Sequence, residues 1–184
     1  MRSASAQKCG GFYFYVFIYT RWLKRTTPHN IVIGGAAGAF PPLVGVAAVT
    51  GRVDLLGVFL FLIVFYWTPP HFWALALLKQ TDYGRAGVPM APNVWGERAT
   101  MDQMLWYTVL LIALTVLPVA FGAFGVVYLA SALVLGWLLL RGVLRVRAAG
   151  RAGAVWTGHA WWTYKYSLLY LALLFAAMAA DAAI

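Results

Sequence analysis

Charged residues are scarce in this sequence, and acidic residues are the scarcest of them. Only 10% of the 184 residues are charged, and the 14 lysines and arginines far outnumber the five aspartates and glutamates. Soluble globular domains carry about 25% charged residues, so the composition excludes that class. Cys9 is the single cysteine, which excludes an internal disulfide framework and a metal site built from cysteines.

Apolar residues dominate instead, at 63% of the sequence, and the mean hydropathy is +0.78. Aromatic residues make up 16%, a content typical of proteins whose helix ends place Trp and Tyr in the lipid headgroup region. A membrane-spanning helix needs roughly 20 apolar residues. We predict an all-α, polytopic transmembrane helix bundle with full spans at 31–49, 55–78, 104–121, 126–140 and 164–180, the fourth of them short.

The N-terminal region does not fit this pattern. Residues 12–20 are apolar but too few to cross a bilayer, and we interpret them as the end of a helix that begins outside the sequence. Residues 1–11 are polar and lack the charged start, apolar core and cleavage site of a signal peptide. We therefore divide the chain into an atypical stretch at 1–11 and a transmembrane domain at 12–184.

Basic residues collect in alternate gaps between the apolar runs. The gaps at 21–29, 79–103 and 141–163 carry three, three and four lysines and arginines, whereas the gap at 50–54 has Arg52 alone and 122–125 has none. This asymmetry predicts that the basic gaps face the cytoplasm, in a bacterial plasma membrane, or the matrix, in the mitochondrial inner membrane. Because the positive charge serves to orient the spans, we expect no nucleic-acid partner.

Two proline pairs, Pro41-Pro42 and Pro69-Pro70, interrupt the first two full spans. Each proline removes a backbone donor and leaves the carbonyl four residues earlier without its helical partner. Within a membrane, such carbonyls are tolerated only against protein or beside a water-lined cavity. Two interpretations follow: helix kinks packed against neighbours, or one cavity shared by the two spans.

A polar cluster follows the second proline pair, at the point where its span ends. Lys79, Asp82, Tyr83 and Arg85 fall within seven residues. These side chains suit one wall of a site that handles a charged group at the end of a membrane-buried cavity. Asp82 is the acid closest behind the interrupted span, and a carboxylate can hold a Mg²⁺ ion that also binds substrate phosphates.

A second polar cluster runs from Tyr19 to Asn30. Lys24 and Arg25 combine a point charge with a planar fork of donors, which is what an anionic diphosphate needs. A charge run that only orients the neighbouring span is the alternative. Tyr19 suits either an anchor at the membrane interface or a hydrogen-bond donor.

His71 lies within a span, where ionisable side chains are costly and usually functional. One interpretation is a neutral imidazole that caps a carbonyl freed by the neighbouring prolines. The other is a contact with a bound substrate.

Four strings that occur in order at loop–helix boundaries carry a resemblance to a known family. They are Tyr19-Thr-Arg-Trp-Leu-Lys-Arg-Thr, Asn30-Ile-Val-Ile-Gly-Gly-Ala-Ala-Gly-Ala-Phe-Pro-Pro-Leu, Trp67-Thr-Pro-Pro-His-Phe-Trp-Ala-Leu-Ala and Asp82-Tyr-Gly-Arg-Ala-Gly-Val-Pro-Met. They resemble the protoheme IX farnesyltransferase (haem O synthase) family of UbiA-type intramembrane prenyltransferases. Weaker similarity continues through Tyr107-Thr and Ser167-Leu-Leu-Tyr-Leu.

The resemblance implies nine transmembrane helices around a central cavity, with two aspartate-bearing loops at its mouth. Residues 12–184 then correspond to the C-terminal part of such a domain, and residues 79–90 to the second of the two loops. The family's first loop, an Asn-x-x-x-Asp-x-x-x-Asp motif, has no counterpart in this sequence. The implied reaction transfers a farnesyl group from farnesyl diphosphate to a vinyl group of protoheme IX, giving haem O.

The resemblance also implies roles for individual residues. Lys24 and Arg25 bind the diphosphate together with Mg²⁺, Asp82 holds the metal, and Lys79 assists. The implied substrate-binding residues are Tyr19, Asn30, Trp67, His71 (on the haem side), Phe72, Trp73, Tyr83 and Arg85. The implied partners are farnesyl diphosphate, protoheme IX, the lipid bilayer, and haem A synthase or a haem–copper oxidase assembly.

Three alternatives stay open. The prenyl acceptor can be a different compound, such as a quinone precursor. The chain can be a non-catalytic membrane remnant that binds haem or a prenyl lipid without turnover, which the missing first loop favours. A transporter ranks last, because no inverted repeat or strongly charged mid-span residue supports it.

Overall fold

The computed structural model describes residues 29–183, which form helices joined by short turns, with no strand in that range. The helices are α1 (Asn30–Thr50), α2 (Leu55–Leu78), α3 (Gln80–Arg85), α4 (Ala91–Val94), α5 (Glu97–Ala120), α6 (Val126–Arg151) and α7 (Thr157–Asp181). Five of them (α1, α2, α5, α6 and α7) are long and apolar enough to cross a membrane. The predicted all-α bundle of five full spans is confirmed, and the partial span at 12–20 lies outside the described residues.

Four long helices form a closed ring in which each packs against two neighbours: α2 against α5, α5 against α6, α6 against α7, and α7 against α2. Successive long helices run antiparallel, and α1 packs on the outside of the ring against α2. Two buried clusters fill the interior. The first centres on Trp73, Leu77, Met101, Met104, Val143 and Val146, and the second on Ile63, Leu111, Tyr128, Leu139, Tyr170 and Leu174.

Three helices extend farther than the apolar runs that predicted them. α5 begins at Glu97 instead of 104, α6 continues to Arg151 instead of ending at 140, and α7 begins at Thr157 instead of 164. The prediction of a short fourth span was wrong, because α6 has 26 residues. Its added turns hold four arginines, which favour helix formation but do not sustain an apolar run.

Both proline pairs lie inside continuous helices, Pro41-Pro42 in α1 and Pro69-Pro70 in α2. Beside the second pair, the buried Thr68 packs on Gly35 of α1, where an added Cβ would lie 2.9 Å from Thr68 Cγ2. Small residues allow this close approach of membrane helices, which gains dispersion contacts between them. Both prolines of the second pair are themselves buried, so the packing interpretation holds for that pair.

The two ends of the bundle differ in charge. We call one the loop end, where residues 79–96 connect α2 to α5, and the other the turn end, where 51–54 and 121–125 make tight connections. At the turn end, Gly51 terminates α1 with a φ of 74°, a left-handed conformation that glycine adopts without strain. At the loop end, Asp102 of α5 accepts from Arg147 Nε and from Arg151 Nη2 of α6. This ion cluster ties the loop-end turns of α5 and α6 together.

Candidate functional site

Residues 79–96 form a structured cap over the loop end of the bundle. α4 places Ala91 in the first buried cluster, beneath the cap. Asn93 Nδ2 donates to Gln80 O at 3.2 Å, which joins α4 to α3. Asn30 Nδ2 lies 3.8 Å from Sδ of the buried Met90, which joins the start of α1 to the same segment. The bundle therefore holds the backbone of this segment from two sides.

The predicted polar cluster lies at the start of this cap and along α3. Lys79 Nζ and Asp82 Oδ2 form an ion pair 3.4 Å apart, with side chains that are 51% and 64% exposed. Tyr83 is half-buried and Arg85 is exposed. Among the described residues, Arg85 has no acidic partner. An exposed ion pair is weakly held, so both of its members can turn to a ligand.

His71 lies two turns earlier in α2, about 12 Å from Lys79 along the helix axis. It is buried, with 5% of its surface exposed. Its imidazole stacks on the Trp67 ring, with centroids 4.5 Å apart, and on the Tyr164 ring of α7, with centroids 4.8 Å apart. Its Nδ1 lies 2.7 Å from Ser167 Oγ, also on α7. The structure thus places His71 in the α2–α7 interface.

The hydrogen bonds around Ser167 assign the tautomer of His71. Ser167 Oγ donates to Tyr164 O at 2.7 Å, which uses the single hydroxyl proton. We therefore assign the proton in the His71–Ser167 bond to Nδ1, with the hydroxyl oxygen as acceptor. The remaining nitrogen, Nε2, then carries a lone pair.

The three predicted aromatic residues of α2 point in different directions. Trp67 faces α7, where its Nε1 donates to Ser167 O at 2.8 Å. Trp73 is buried and faces α5, where its ring meets Tyr107 edge to face at 5.3 Å. Phe72 lies between these directions on the outside of the bundle and is 38% exposed. The structure does not bring these three rings together around one cavity.

A cavity of about 330 Å³ opens beside Trp73 at the loop end. Its lining is mainly aromatic, with an amide and a phenol among the polar groups, and consists of His29, Trp73, Trp95, Ala99, Gln103 and Tyr107. Apolar walls with a few polar groups are typical of pockets that bind small molecules, and this volume lies at the small end of their range.

Metal-ligating side chains do not cluster in residues 29–183: no group of three or more His, Cys, Asp or Glu there is arranged for a metal ion. Asp82 nevertheless offers one exposed carboxylate. Mg²⁺ commonly binds through one or two carboxylates, several waters and substrate phosphates, so Asp82 fits a site that a diphosphate completes. Tyr19, Lys24 and Arg25 lie outside the described residues.

Sequence reasoning missed the two α7 residues that hold His71, namely Tyr164 and Ser167. Ser167 is the first residue of Ser167-Leu-Leu-Tyr-Leu, one of the strings with weaker similarity to the family, and this similarity was the sequence signal that could have identified it. Nothing in that string predicts its hydrogen bond to a side chain 96 residues away.

Residues 9–162 match the UbiA prenyltransferase family. The chain belongs to this family. The prediction made from the four strings is thereby confirmed, and together with the five spanning helices it makes the chain an integral membrane protein.

Three curated relatives of this UbiA family chain each carry the name Protoheme IX farnesyltransferase. The protein from Roseiflexus sp. (strain RS-1) is 60% identical over 93% of this chain and 31% of its own length. A Thermus thermophilus protein is 54% identical over 95% of this chain and 28% of its own length. The Granulibacter bethesdensis protein is 51% identical over 97% of this chain and 57% of its own length. No solved structure matches the chain.

The chain therefore spans from under a third to just over half of the length of these UbiA family relatives, and it matches their C-terminal part. Within this length, α2 carries both the buried His71 and, at its end, the exposed Lys79. The string from Trp67 to Trp73 that marks the family thus belongs to a helix that reaches from the bundle interior to its polar cap.

Proposed function

We propose that this chain contributes a site that transfers the farnesyl group of farnesyl diphosphate to a vinyl group of protoheme IX, giving haem O. The observation that carries the proposal is the exposed Lys79–Asp82 pair, which lies at the end of α2 on a cap held by the bundle. The shared name of the relatives supports this reaction among those of the family.

The diphosphate binds at the loop end in this proposal. Arg85 is exposed and, within the described residues, has no acidic partner, so its planar donors are free to bind phosphate oxygens. Lys79 exchanges its contact with Asp82 for a phosphate oxygen. Lys24 and Arg25, outside the described residues, add the further positive charge that a diphosphate requires.

Asp82 is the residue that would hold Mg²⁺, with the diphosphate and water as its other ligands. When bound, the metal neutralises the charge that builds on the leaving diphosphate. In this proposal Tyr83, which is next to Asp82 and half-buried, donates its hydroxyl to the diphosphate.

The reaction begins with cleavage of the C–O bond of farnesyl diphosphate, which leaves an allylic farnesyl cation and a diphosphate anion. Lys79 and Arg85 stabilise the anion as its charge develops, since both cations lie on the cap at the proposed diphosphate site. The electron pair of a haem vinyl group then attacks the cation and forms a C–C bond. Water adds to the new cation and loses a proton, giving a hydroxyethylfarnesyl side chain.

Apolar and aromatic side chains protect the cation from bulk water. Trp73 lines the 330 Å³ cavity near the cap, and its buried ring forms part of the apolar wall there. Phe72 lies on the outside of α2 and contributes to the wall that meets the apolar substrate tail. Trp67 acts from the α7 side by holding the His71 ring in place.

We assign the haem side of the site to His71 and Asn30, with Tyr19 outside the described residues. The Trp67 and Tyr164 rings cover the two faces of His71, and Ser167 holds its Nδ1. The Nε2 edge is what remains for a haem contact. Asn30 is buried where α1 meets the cap, with its Nδ2 3.8 Å from Met90 Sδ.

The basic residues of the loop end support its placement on the cytoplasmic side of a bacterial plasma membrane, or on the matrix side of the mitochondrial inner membrane. Haem O carries a new hydrophobic tail, so the product stays in the bilayer. Haem A synthase or a haem–copper oxidase assembly is the partner class that would consume it.

The test is to incubate membranes that contain the chain with protoheme IX, farnesyl diphosphate and MgCl₂, and to separate the haems by chromatography with mass detection. We expect haem O, and its loss when a chelator removes Mg²⁺. If no farnesylated haem forms, the proposal fails for this chain.

A quinone precursor is the competing acceptor. Adding an aromatic prenyl acceptor such as 4-hydroxybenzoate in place of haem separates the two reactions. Haem as the productive acceptor supports the proposal, and prenylation of the aromatic acid alone contradicts it.

A further inference from the structure

Three basic residues on the outward sides of α6 and α7 are not used by the site described above. Arg141, Arg145 and Lys165 are all exposed. Within the described residues, none of them pairs with a carboxylate. Lys165 instead lies over the exposed Trp161 ring, with Nζ 5.6 Å from its centroid. The outer surface of α6 and α7 therefore carries positive charge at this level.

The two helices meet closely at the same level. A Cβ added at Gly142 of α6 would lie 2.6 Å from Trp162 Cζ3 and 2.9 Å from Thr163 Oγ1, so α7 packs directly on this glycine. Arg141 precedes Gly142, and Arg145 follows it by less than one turn. On α7, Lys165 follows Trp162 by three residues and shares its side of the helix.

An aromatic pair fixes the surface between the cations. Trp162 stacks on Tyr166 with centroids 4.8 Å apart and planes at 4°. Tyr166 Oη donates to Leu135 O of α6 at 3.1 Å, which holds the pair across the groove between α6 and α7. Trp162 is still 43% exposed. The Trp162–Tyr166 pair therefore forms an aromatic floor, with Arg141 and Arg145 beside it on α6 and Lys165, over the Trp161 ring, farther out on α7.

The depth of these residues indicates what occupies the groove. Arg141 lies ten residues before the end of α6, about 15 Å inside it, and Lys165 lies eight residues, about 12 Å, inside the start of α7. Long basic side chains at that depth can extend along apolar surface toward the helix end and place their charge at headgroup level. Exposed aliphatic and aromatic side chains continue the surface toward the bilayer centre, including Leu133, Trp137 and Leu169.

We propose that this groove, which we call the α6–α7 groove, binds an anionic phospholipid through its phosphate. Arg141, Arg145 and Lys165 bind the headgroup, and the acyl chains lie along the exposed apolar side chains below it. Basic sites between membrane helices on the positively charged side are suited to such headgroups. The nearest described acid of α5, Asp102, is held by Arg147 and Arg151 on another side of α6, so it does not neutralise the groove.

The test is a titration of the detergent-purified chain with dioleoyl phosphatidylglycerol and, separately, dioleoyl phosphatidylcholine, counting bound lipids by native mass spectrometry. We expect tighter binding of phosphatidylglycerol by about tenfold or more. Each basic residue near a membrane surface contributes about 1 kcal/mol, or roughly fivefold in affinity. The Arg141→Gln/Arg145→Gln double variant should therefore weaken phosphatidylglycerol binding by about 25-fold.

Two further variants separate the groove from net charge and from misfolding. Arg52→Gln/Arg98→Gln removes the same charge from exposed positions outside the groove, and it should change binding by less than about twofold. Arg141→Lys/Arg145→Lys keeps the charge in the groove and should retain most of the affinity. An equal loss in the matched control, or full binding by the Gln double variant in the groove, would overturn the proposal. Displacement of the lipid by inorganic phosphate at equal concentration would also overturn it, by assigning the groove to a soluble anion.

Discussion

The two ends of the bundle use their carboxylates in different ways. At the turn end, Asp54 and Asp181 both accept hydrogen bonds from backbone amides at the starts of helices, Asp54 at α2 and Asp181 at α6. At the loop end, the only described partner of the Asp82 carboxylate in residues 29–183 is the exposed ammonium of Lys79. A carboxylate at a helix N-terminus stabilises the fold, whereas one beside a flexible lysine remains available to a ligand.

A carboxylate is not available to a ligand merely because it lies at the loop end. Asp102 lies at that end as well, but Arg147 and Arg151 of α6 hold it. Cavity size does not identify the site either. A depression of about 480 Å³ at the turn end is larger than the one beside Trp73, yet its carboxylate, Asp181, is occupied by α6 amides. Whether a carboxylate can bind a ligand therefore depends on which protein groups already contact it.

The largest effect is expected from Asp82→Asn. Haem O formation should fall by about 100-fold or more, because the Mg²⁺ that Asp82 would hold neutralises the charge on the leaving diphosphate, and losing one group that stabilises developing charge costs about that much. The free energy of unfolding should change by less than about 0.5 kcal/mol, because the side chain is 64% exposed. Product chromatography and unfolding in mixed micelles measure the two quantities. Glu97→Gln, a neutralised acid at the same end, is the matched control, and equal losses in both variants would contradict the special role of Asp82.

Asp102→Asn should have the opposite profile. It loses its ionic contacts to Arg147 and Arg151, each worth up to about 1 kcal/mol for a partly exposed pair. We expect the free energy of unfolding to fall by about 1–2 kcal/mol, with turnover per folded molecule unchanged. Arg98→Gln, an exposed arginine without an acidic partner in the described residues, should cost less than about 0.5 kcal/mol. Loss of turnover at full stability would place Asp102 in the site and would contradict the distinction between a structural Asp102 and a ligand-binding Asp82.

A smaller loss is expected at the turn end from Asp181→Ala. The carboxylate accepts from the amides of Gly125 and Tyr128, so its removal leaves the first turn of α6 uncapped. We expect a loss smaller than that of Asp102→Asn, as for removal of an N-terminal cap, measured again as the free energy of unfolding. Asp181→Asn keeps one carbonyl acceptor and should recover part of this loss. An unchanged stability in Asp181→Ala would show that the cap contributes nothing.

The smallest change is expected from Asp54→Ala, because Asp54 accepts only from Gly57 N, at 2.8 Å. We expect a loss of about 0.5–1 kcal/mol in unfolding free energy. Asp54→Asn should match the parent, since asparagine is an equally good cap. An equal loss in both variants would mean that the charge of Asp54, and not its hydrogen bond, stabilises α2.

The sequence predicted the number and position of the spans well, because a helix that crosses a bilayer needs an apolar run of about the same length. It predicted their ends poorly: the turns of α6 from Arg141 to Arg151 are helical but too basic to extend an apolar run. Hydropathy reports the surroundings of a segment, whereas backbone hydrogen bonding decides where a helix stops.

The polar cluster from Lys79 to Arg85 could also be recognised, because its members are close in sequence and one short helix brings them together. The partners of His71 and Asp102 could not. Ser167 lies 96 residues from His71, and Arg147 lies 45 residues from Asp102. Such contacts depend on which faces of the helices meet, and no local pattern records that.

The most direct test is to titrate inorganic pyrophosphate with MgCl₂ into the purified chain and into its Asp82→Asn and Asp102→Asn variants, using calorimetry. If Asp82 is the acid available to a ligand, its variant should bind pyrophosphate at least about tenfold more weakly, a difference of about 1.4 kcal/mol, and Asp102→Asn should match the parent. Equal affinity in the parent and Asp82→Asn, or an equal loss in both variants, would contradict the assignment.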